Sequence, residues 1–442
     1  MIDIFFFSFI IIFLIVNYFV VRRLSFQSIL TSPFILFGAF FCIMHLLLPY
    51  FQWKINFFRY ETGYDETYYI YSLFYVMIAY IIVYISYTHF NKRRRQIIIN
   101  DDPQYKIINT ASINYKKVFA VGVLVFFIGG YFAYQNFSLI SLLGQEEYLS
   151  DRISLGKGRG LQVNLAHWMY ISAILFFFLV LTGKDLTKRF KRLIFLMFLV
   201  SVVTVIAYYG FNSNRNSIFI LLVNLTVLYF AFKKQKKRKK SNFGSIAKIG
   251  VFAVVLLFLF FQLGKNRKQG ALKDNTADYS VIEALNGAFG NHENIVWLLE
   301  NSDKTKLHYG VTYSAGITNF VPRSIWPNKP LGAGPILKNT IYPGSYVVGR
   351  RGNSSLTTGL FNELQMNFGI IGMLLGSILY GIMLSKMSVF LIQSTNPINL
   401  IIIQYTLIVF STVFMYGEFL GFLARFLITL SPLILIKFLI KK

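Results

Sequence analysis

The composition of the chain excludes a soluble globular protein. Of its 442 residues, 55% are hydrophobic, 18% are aromatic and only 14% are charged, whereas roughly a quarter of the residues in a soluble domain are charged. The formal net charge of +26 is high enough to raise nucleic-acid binding as an alternative. The basic residues cluster in alternate loops between apolar runs, however, so the charge predicts membrane topology and no nucleic-acid partner.

Long apolar runs predict transmembrane helices along almost the whole chain. Several runs reach the ~20 residues that cross a hydrocarbon core, and no Pro-rich or Gly/Ser-rich linker separates them. We therefore predict an all-α polytopic membrane protein with about 11 transmembrane helices in a single integral membrane domain, residues 1–442. The predicted helices cover residues 4–21, 33–50, 70–87, 118–134, 161–181, 193–208, 217–232, 251–263, 360–384, 398–414 and 419–438.

The distribution of Lys and Arg predicts the orientation. Basic residues concentrate at 22–23, 92–95, 184–192, 233–240 and 441–442, and loops rich in Lys and Arg stay in the cytoplasm. The N-terminus is then outside and the C-terminus is cytoplasmic.

This orientation makes residues 264–359, between predicted helices 8 and 9, one long extracytoplasmic loop. Loops longer than ~15 residues in a compact protein are usually functional or disordered. Apolar residues recur with helical spacing between 281 and 299. We therefore expect an ordered cap that contains a short helix lying on the membrane surface.

The sequence carries no signature of a metal or cofactor site. The single cysteine, Cys42, lies inside an apolar run, so neither a disulfide nor a thiolate metal site is expected. No His, Cys and Asp residues occur with metal-ligand spacing, and neither a Walker loop nor a GxSxG motif is present. We predict no metal and no cofactor.

Residues 322–330 form the most informative polar segment of the predicted outer loop. Its three prolines fix φ and extend the residues before them, which stiffens the segment. Between the prolines lie Arg323, Trp326 and Lys329. A guanidinium, an ammonium and an indole on a rigid loop suit a phosphorylated sugar, since the cations bind phosphate and the indole stacks on a sugar face. The alternative is an interfacial Trp whose flanking cations anchor the loop to lipid headgroups.

The same segment resembles a known family. The string Pro-Arg-Ser-Ile-Trp-Pro-Asn-Lys-Pro at 322–330 is similar to that of the oligosaccharide repeat-unit polymerases of O-antigen and capsule assembly, the Wzy type. The strings Tyr-Gly-Val-Thr-Tyr at 309–313, Gly-Leu-Phe-Asn-Glu at 359–363 and Asn-Phe-Gly-Ile-Ile-Gly at 367–372 also look like those of that family. The clear motifs cover residues 310–372, and the rest of the chain matches in hydropathy.

The resemblance implies a metal-independent glycosyltransferase at the outer face of the bacterial plasma membrane. Such an enzyme moves a growing glycan from undecaprenyl diphosphate onto a new lipid-linked repeat unit. Its partners would be the lipid-linked donor and acceptor, membrane lipids, and possible companions such as a chain-length regulator and a flippase. Cations must stabilise the leaving diphosphate, and a base must take the proton of the acceptor hydroxyl.

Seven basic residues are candidates for binding the diphosphate. Arg323 and Arg215 lead; Arg215 lies in a short turn rich in Asn and Ser, where the alternative is that it snorkels to lipid headgroups. The second group has five members. Arg152 and Arg159 lie in the glycine-rich segment 145–160, Lys329 lies in the 322–330 segment, and Arg350 and Arg351 lie near the end of the predicted outer loop.

His292 is the candidate for the catalytic base, because a neutral imidazole accepts a proton near pH 7. Its neighbour Glu293 points to a different side of a helix, so the two do not form a relay by spacing. His45 and His167 lie in apolar runs and are expected to be packed or hydrogen-bonded. Glu363 begins a predicted helix, where the helix dipole favours a carboxylate, and a role as base stays open.

Three other functions remain as alternatives. A glycan ligase differs from a polymerase only in its acceptor. A lipid-oligosaccharide flippase or other transporter would place its basic residues around a central cavity, whereas here most lie in loops. A transferase using polyprenyl monophosphate sugars would place an acidic pair in its first outer loop, where this chain has Asp65 and Glu66.

Overall fold

The computed structural model describes residues 2–22, 32–90, 113–136, 160–183, 186–211, 215–232, 286, 289–349, 355–394 and 396–439. About 80% of the described residues are helical, and none of them is in a strand. The protein is an all-α polytopic membrane protein, as predicted.

Nine helices in the described part of the chain are long and apolar enough to cross a membrane. They cover Ile2–Val21, Pro33–Lys54, Glu66–Phe90, Tyr115–Gln135, Leu161–Thr182, Lys188–Gly210, Leu360–Leu391, Pro397–Tyr416 and Phe419–Phe438. A shorter apolar helix, Ser217–Phe230, coincides with the seventh predicted span. The eighth predicted span, 251–263, lies outside the described residues.

The chain divides into two compact units by contact density. The first contains Met1–Lys106, Ser280–Gln393 and Thr406–Phe426, and the second contains Ile107–Tyr279, Ser394–Tyr405 and Leu427–Lys442. Whether the whole chain behaves as a single membrane domain stays a prediction.

The first unit holds all the helices that matter for the site described below. They are α1 (Ile2–Val21), α2 (Pro33–Cys42), α3 (Leu48–Lys54), α4 (Glu66–Phe90), α10 (His292–Glu300), α11 (Val311–Ile317), α12 (Ala333–Ile341), α13 (Leu360–Gln393), α15 (Val413–Tyr416) and the first part of α16 (Phe419–Leu439). A π-helical turn, Ile43–Leu47, joins α2 to α3.

The second unit contains five helices and parts of two others. They are α5 (Tyr115–Asn136), α6 (Gly160–Ala166), α7 (Trp168–Thr182), α8 (Lys188–Phe211), α9 (Arg215–Phe232), the first part of α14 (Pro397–Ser411) and the last part of α16. Several of its buried polar side chains pair with one another, which offsets the cost of a polar group in an apolar interior. The hydroxyls of Tyr170 and Tyr405 lie 3.0 Å apart, and His167 is hydrogen-bonded to Tyr209, as expected for a histidine in an apolar run.

The predicted outer segment is an ordered cap over residues 289–349, but its helix is not on a surface. Helix α10 is amphipathic, yet its residues 292–298 are all buried, including His292, Glu293 and Asn294. The expectation of a surface-lying helix is therefore wrong. The polar side of α10 is buried because other polar side chains of the first unit hydrogen-bond to it.

Helix α13 bends at Gly369, which has φ 69° and ψ −166°. Only glycine adopts this conformation readily. The bend frees backbone carbonyls, which must find other donors in an apolar environment. The N–H groups of His308 and Tyr309 supply them, donating to the carbonyls of Met366 and Asn367 at 3.0 and 2.9 Å.

Candidate functional site

The segment with the predicted phosphate ligands is a loop held together by its own cations. The guanidinium of Arg323 donates to the carbonyl oxygens of Pro327 and Pro330 at 3.0 and 3.4 Å. The ammonium of Lys329 donates to the carbonyls of Asn319 and Val321 at 3.1 and 2.9 Å. We refer to residues 321–330 as the cationic loop. Arg carries five N–H donors and Lys three, so both groups keep donors for a ligand.

The two cations of the cationic loop are close enough to influence each other. Burial, and then the positive charge of Arg323, lower the pKa of Lys329 below its ordinary value. Two like charges that repel in this way are stabilised by an anion between or beside them. This electrostatic arrangement suits a phosphate or diphosphate.

Apolar side chains project from the cationic loop and from the 3₁₀ turn Thr318–Phe320 before it. Phe320 is 53% exposed, Ile325 is 75% exposed and Trp326 is 41% exposed. Exposed aromatic and aliphatic side chains beside cations are typical of the membrane–water interface. Trp326 is exposed, which both its predicted stacking on a sugar and the alternative role as an interfacial anchor require.

A buried polar cluster joins the segments that precede and follow the cationic loop in the sequence. Glu363 accepts a hydrogen bond from the Thr312 hydroxyl at 2.7 Å and another from the Phe419 N–H at 2.6 Å. Asn367 donates to Thr312 at 2.8 Å and accepts from the Gly310 N–H at 2.9 Å. The string at 309–313 therefore packs directly against the strings at 359–363 and 367–372. Three of the four strings that carry the family resemblance form one hydrogen-bonded unit.

Glu418 lies just before α16 and faces the segment that follows the cationic loop. Its Oε2 accepts from the Gly334 N–H at 2.7 Å. A Cβ at Gly332 would lie 2.7 Å from the same oxygen, so a larger residue there would displace the carboxylate from this position. Burial raises the pKa of Glu418 above its ordinary value, and the Gly334 hydrogen bond partly opposes this.

The predicted catalytic residue His292 is buried, with none of its surface exposed. Its Nε2 lies 3.0 Å from the Ser72 hydroxyl, and its Nδ1 lies 3.2 Å from Nδ1 of His45. The π-helical turn Ile43–Leu47 positions His45 for this contact. Burial lowers the pKa of His292 to about 3. In this conformation His292 has no access to a substrate, and its catalytic role stays a prediction.

Glu293 anchors the adjacent side of α10. Its Oε1 accepts from the Arg59 N–H at 2.6 Å, from the Tyr60 N–H at 3.0 Å and from the Tyr64 hydroxyl at 3.1 Å. Its Oε2 lies 3.4 Å from the amide nitrogen of Gln52. His292 and Glu293 thus have separate partners, in agreement with their predicted divergence. Sequence reasoning missed this carboxylate site because the donors are more than 200 residues away along the chain.

Five of the seven predicted diphosphate ligands cannot be placed. Arg152, Arg159, Arg350 and Arg351 lie outside the described residues. The backbone of Arg215 begins α9, but its side chain is outside the described part of the structure. Only Arg323 and Lys329 are described in full, and they share one loop. The described residues include no group of three His, Cys, Asp or Glu side chains that could hold a metal ion.

Comparison of the chain with protein-family models, with curated proteins and with solved structures finds no match. The likeness to the Wzy-type polymerases therefore depends on the four strings and the hydropathy of the rest of the chain.

Proposed function

We propose that this protein polymerises lipid-linked oligosaccharide repeat units into O-antigen or capsule polysaccharide. It would transfer the growing glycan from undecaprenyl diphosphate onto the next lipid-linked unit, at the outer face of the bacterial plasma membrane. The chain would then be a metal-independent glycosyltransferase, with its N-terminus outside and its C-terminus in the cytoplasm.

The observation that carries this proposal is the cationic loop. A lipid diphosphate has a charged group at the membrane surface and an apolar tail below it. The loop offers a matching pair of features, since Arg323 and Lys329 supply positive charge beside the exposed side chains of Phe320 and Ile325. Fixed donors that meet the charge developing on the leaving diphosphate stabilise the transition state. In this proposal Trp326 stacks on a sugar of the donor or acceptor.

The fixed position of the loop supports the proposal further. The cations are already hydrogen-bonded to backbone carbonyls, so little ordering of their side chains is required when a ligand binds. The buried unit around Glu363 and Asn367 holds the strings on either side of the loop. Arg215, Arg152, Arg159, Arg350 and Arg351 remain proposed additional ligands of the diphosphate.

Deletion of the gene in its host, followed by gel sizing of the surface glycan, tests the proposed function. We expect loss of long chains with retention of material that carries a single repeat. Retention of long chains on the lipid carrier, with loss of glycan from its final acceptor, would favour a ligase instead. Accumulation of lipid-linked units on the cytoplasmic side would favour a flippase.

A further inference from the structure

We propose that the carboxylate of Glu418 is the base that accepts the proton of the acceptor hydroxyl in the transfer reaction. This inference rests on the proposed function and assigns a residue to a step for which the sequence offered His292. The acceptor oxygen would bond to the anomeric carbon of the donor as the bond from that carbon to the phosphate oxygen breaks. The lipid diphosphate leaves with the bonding electrons, and the proton passes to Glu418 and then to water.

The backbone position of Glu418 is fixed from two sides. Its carbonyl accepts from the Phe422 N–H at 2.9 Å, which closes the first turn of α16. The next residue, Phe419, donates its N–H to Glu363 at 2.6 Å. Glu363 thus acts as a positioning residue, because it holds the end of α16 from which Glu418 projects.

The side chain of Glu418 is held by one oxygen and leaves the other available. Oε2 accepts from Gly334 N–H, whereas Oε1 has no hydrogen-bond partner among the described residues. Glu418 is partly exposed, so Oε1 can meet a substrate hydroxyl. A base needs this combination of a fixed position and a free, accessible lone pair.

Glu418 and Arg323 flank the same short stretch of chain. Arg323 donates to the carbonyl of Pro330, and Glu418 contacts Gly332, two residues further on. Two residues span at most about 7 Å. The pKa of Tyr346 responds to both charged groups. Burial is the largest effect and raises this pKa, the charge of Arg323 lowers it, and the charge of Glu418 raises it. A sugar attached to a diphosphate at Arg323 would therefore lie near Glu418.

Two other acids of the first unit, Glu363 and Glu293, do not combine these features. Both oxygens of Glu363 are occupied, and the residue is 1% exposed. Glu293 is likewise 1% exposed and accepts hydrogen bonds on both oxygens. Among the described residues, the charge of Glu418 acts on Glu363 and on Tyr346, and the charge of Arg323 also acts on Tyr346. Because burial raises the pKa of Glu418, the base form is reached at a higher pH than for an ordinary carboxyl.

The test is the steady-state kinetics of purified full-length protein with lipid-linked repeat units, across pH. Glu418→Gln keeps the length of the side chain and an oxygen for Gly334 N–H, but it cannot take a proton. We expect kcat to fall by roughly 100-fold or more with little change in KM, and the acidic limb of the pH profile to disappear. Asp303→Asn, which changes an exposed acid of the same cap, should leave both unchanged.

A Glu418→Gln variant with the wild-type kcat and the wild-type acidic limb would overturn the assignment. If that variant does not fold, Glu418→Asp replaces it: withdrawing the carboxylate by one methylene should lower kcat but keep a titrating limb, and an unchanged kcat would overturn the assignment. Failure of the wild-type protein to elongate any lipid-linked unit would instead reject the proposed function, and this inference with it.

Discussion

The hydroxyl of Ser72 lies 3.0 Å from Nε2 of His292 and donates its own proton to the carbonyl of Tyr69 at 2.7 Å. Since a hydroxyl has one proton, Ser72 must accept from His292, which places the His292 proton on Nε2. Nδ1 of neutral His292 is then an acceptor, and the contact with His45 requires a proton on His45 Nδ1. This chain of hydrogen bonds fixes α10 to α4 and to the π-helical turn.

Replacing His292 with Gln should change the dependence of stability on pH. Burial lowers the pKa of His292 to about 3 in the folded protein, whereas an unfolded His titrates near 6.5. Below pH ~6.5 the unfolded state binds a proton that the folded state does not, so folding loses up to ~1.4 kcal/mol of stability per pH unit. His292→Gln removes this loss.

Thermal unfolding of both proteins in detergent between pH 5 and pH 8 measures the effect. At pH 8 the variant should be less stable by about 1–3 kcal/mol, because His45 loses its buried acceptor. The difference should shrink as the pH falls below 6.5. A difference that stays constant across this range would contradict the buried, neutral state of His292.

Gly369→Ala should destabilise the protein through its backbone alone. Gly369 has φ 69°, and the nearest atom to an added Cβ would be a methyl carbon of Leu307 at 3.9 Å. Space is therefore sufficient, but the conformation costs a residue other than glycine on the order of 1–3 kcal/mol. Gly130→Ala in α5 is the matched control, since a Cβ there meets nothing within 4 Å and has no unfavourable φ. Equal thermal stability of the two variants would refute the strained bend.

Arg323→Lys should separate recognition of a diphosphate from the other roles of this residue. Lys329 shows that one ammonium can bind two backbone carbonyl oxygens, so a Lys at 323 keeps both the charge and a means of closing the loop. It loses the planar pair of donors that binds phosphate. A charged hydrogen bond contributes ~1.5–3 kcal/mol, or roughly one to two decades of rate.

We therefore expect Arg323→Ala nearly to abolish long chains and Arg323→Lys to restore only a small part, at normal protein levels. Lys306→Ala, which removes an exposed cation elsewhere in the cap, should have no effect. Gel sizing of the surface glycan provides the measurement. Wild-type chain lengths in Arg323→Lys would reject the bidentate role and support attachment to lipid headgroups, for which a point charge suffices.

Reporter fusions test the orientation on which the site assignment depends. A reporter inserted after Lys240 should be cytoplasmic, because residues 233–240 are almost all basic. A reporter near Asn275 should be outside. The reverse location at either position would place the cationic loop on the wrong face for an extracytoplasmic transfer.

The apolar runs could be predicted from the sequence because hydrophobic length is a local property. The π-helical turn at His45 and the burial of α10 could not, since they depend on partners far along the chain. Glu363 shows why sequence reasoning stops short. The dipole of its own helix was enough to account for a carboxylate at that position, yet its hydrogen-bond partners Thr312 and Phe419 lie 51 and 56 residues away along the chain. The cationic loop was visible in its prolines and cations, whereas Glu418 carries no local signal.

Elongation by the purified protein tests the central claim most directly. Full-length protein, given undecaprenyl-diphosphate-linked repeat units in excess chelator, should produce a ladder of chains that differ by one repeat, because the proposed chemistry uses side chains only. The Arg323→Ala variant, confirmed as folded, serves as the negative control. A wild-type protein that is folded and leaves every unit at a single repeat, with or without added Mg²⁺ or Mn²⁺, would contradict the proposed polymerase function; activity restored only by these ions would contradict metal independence.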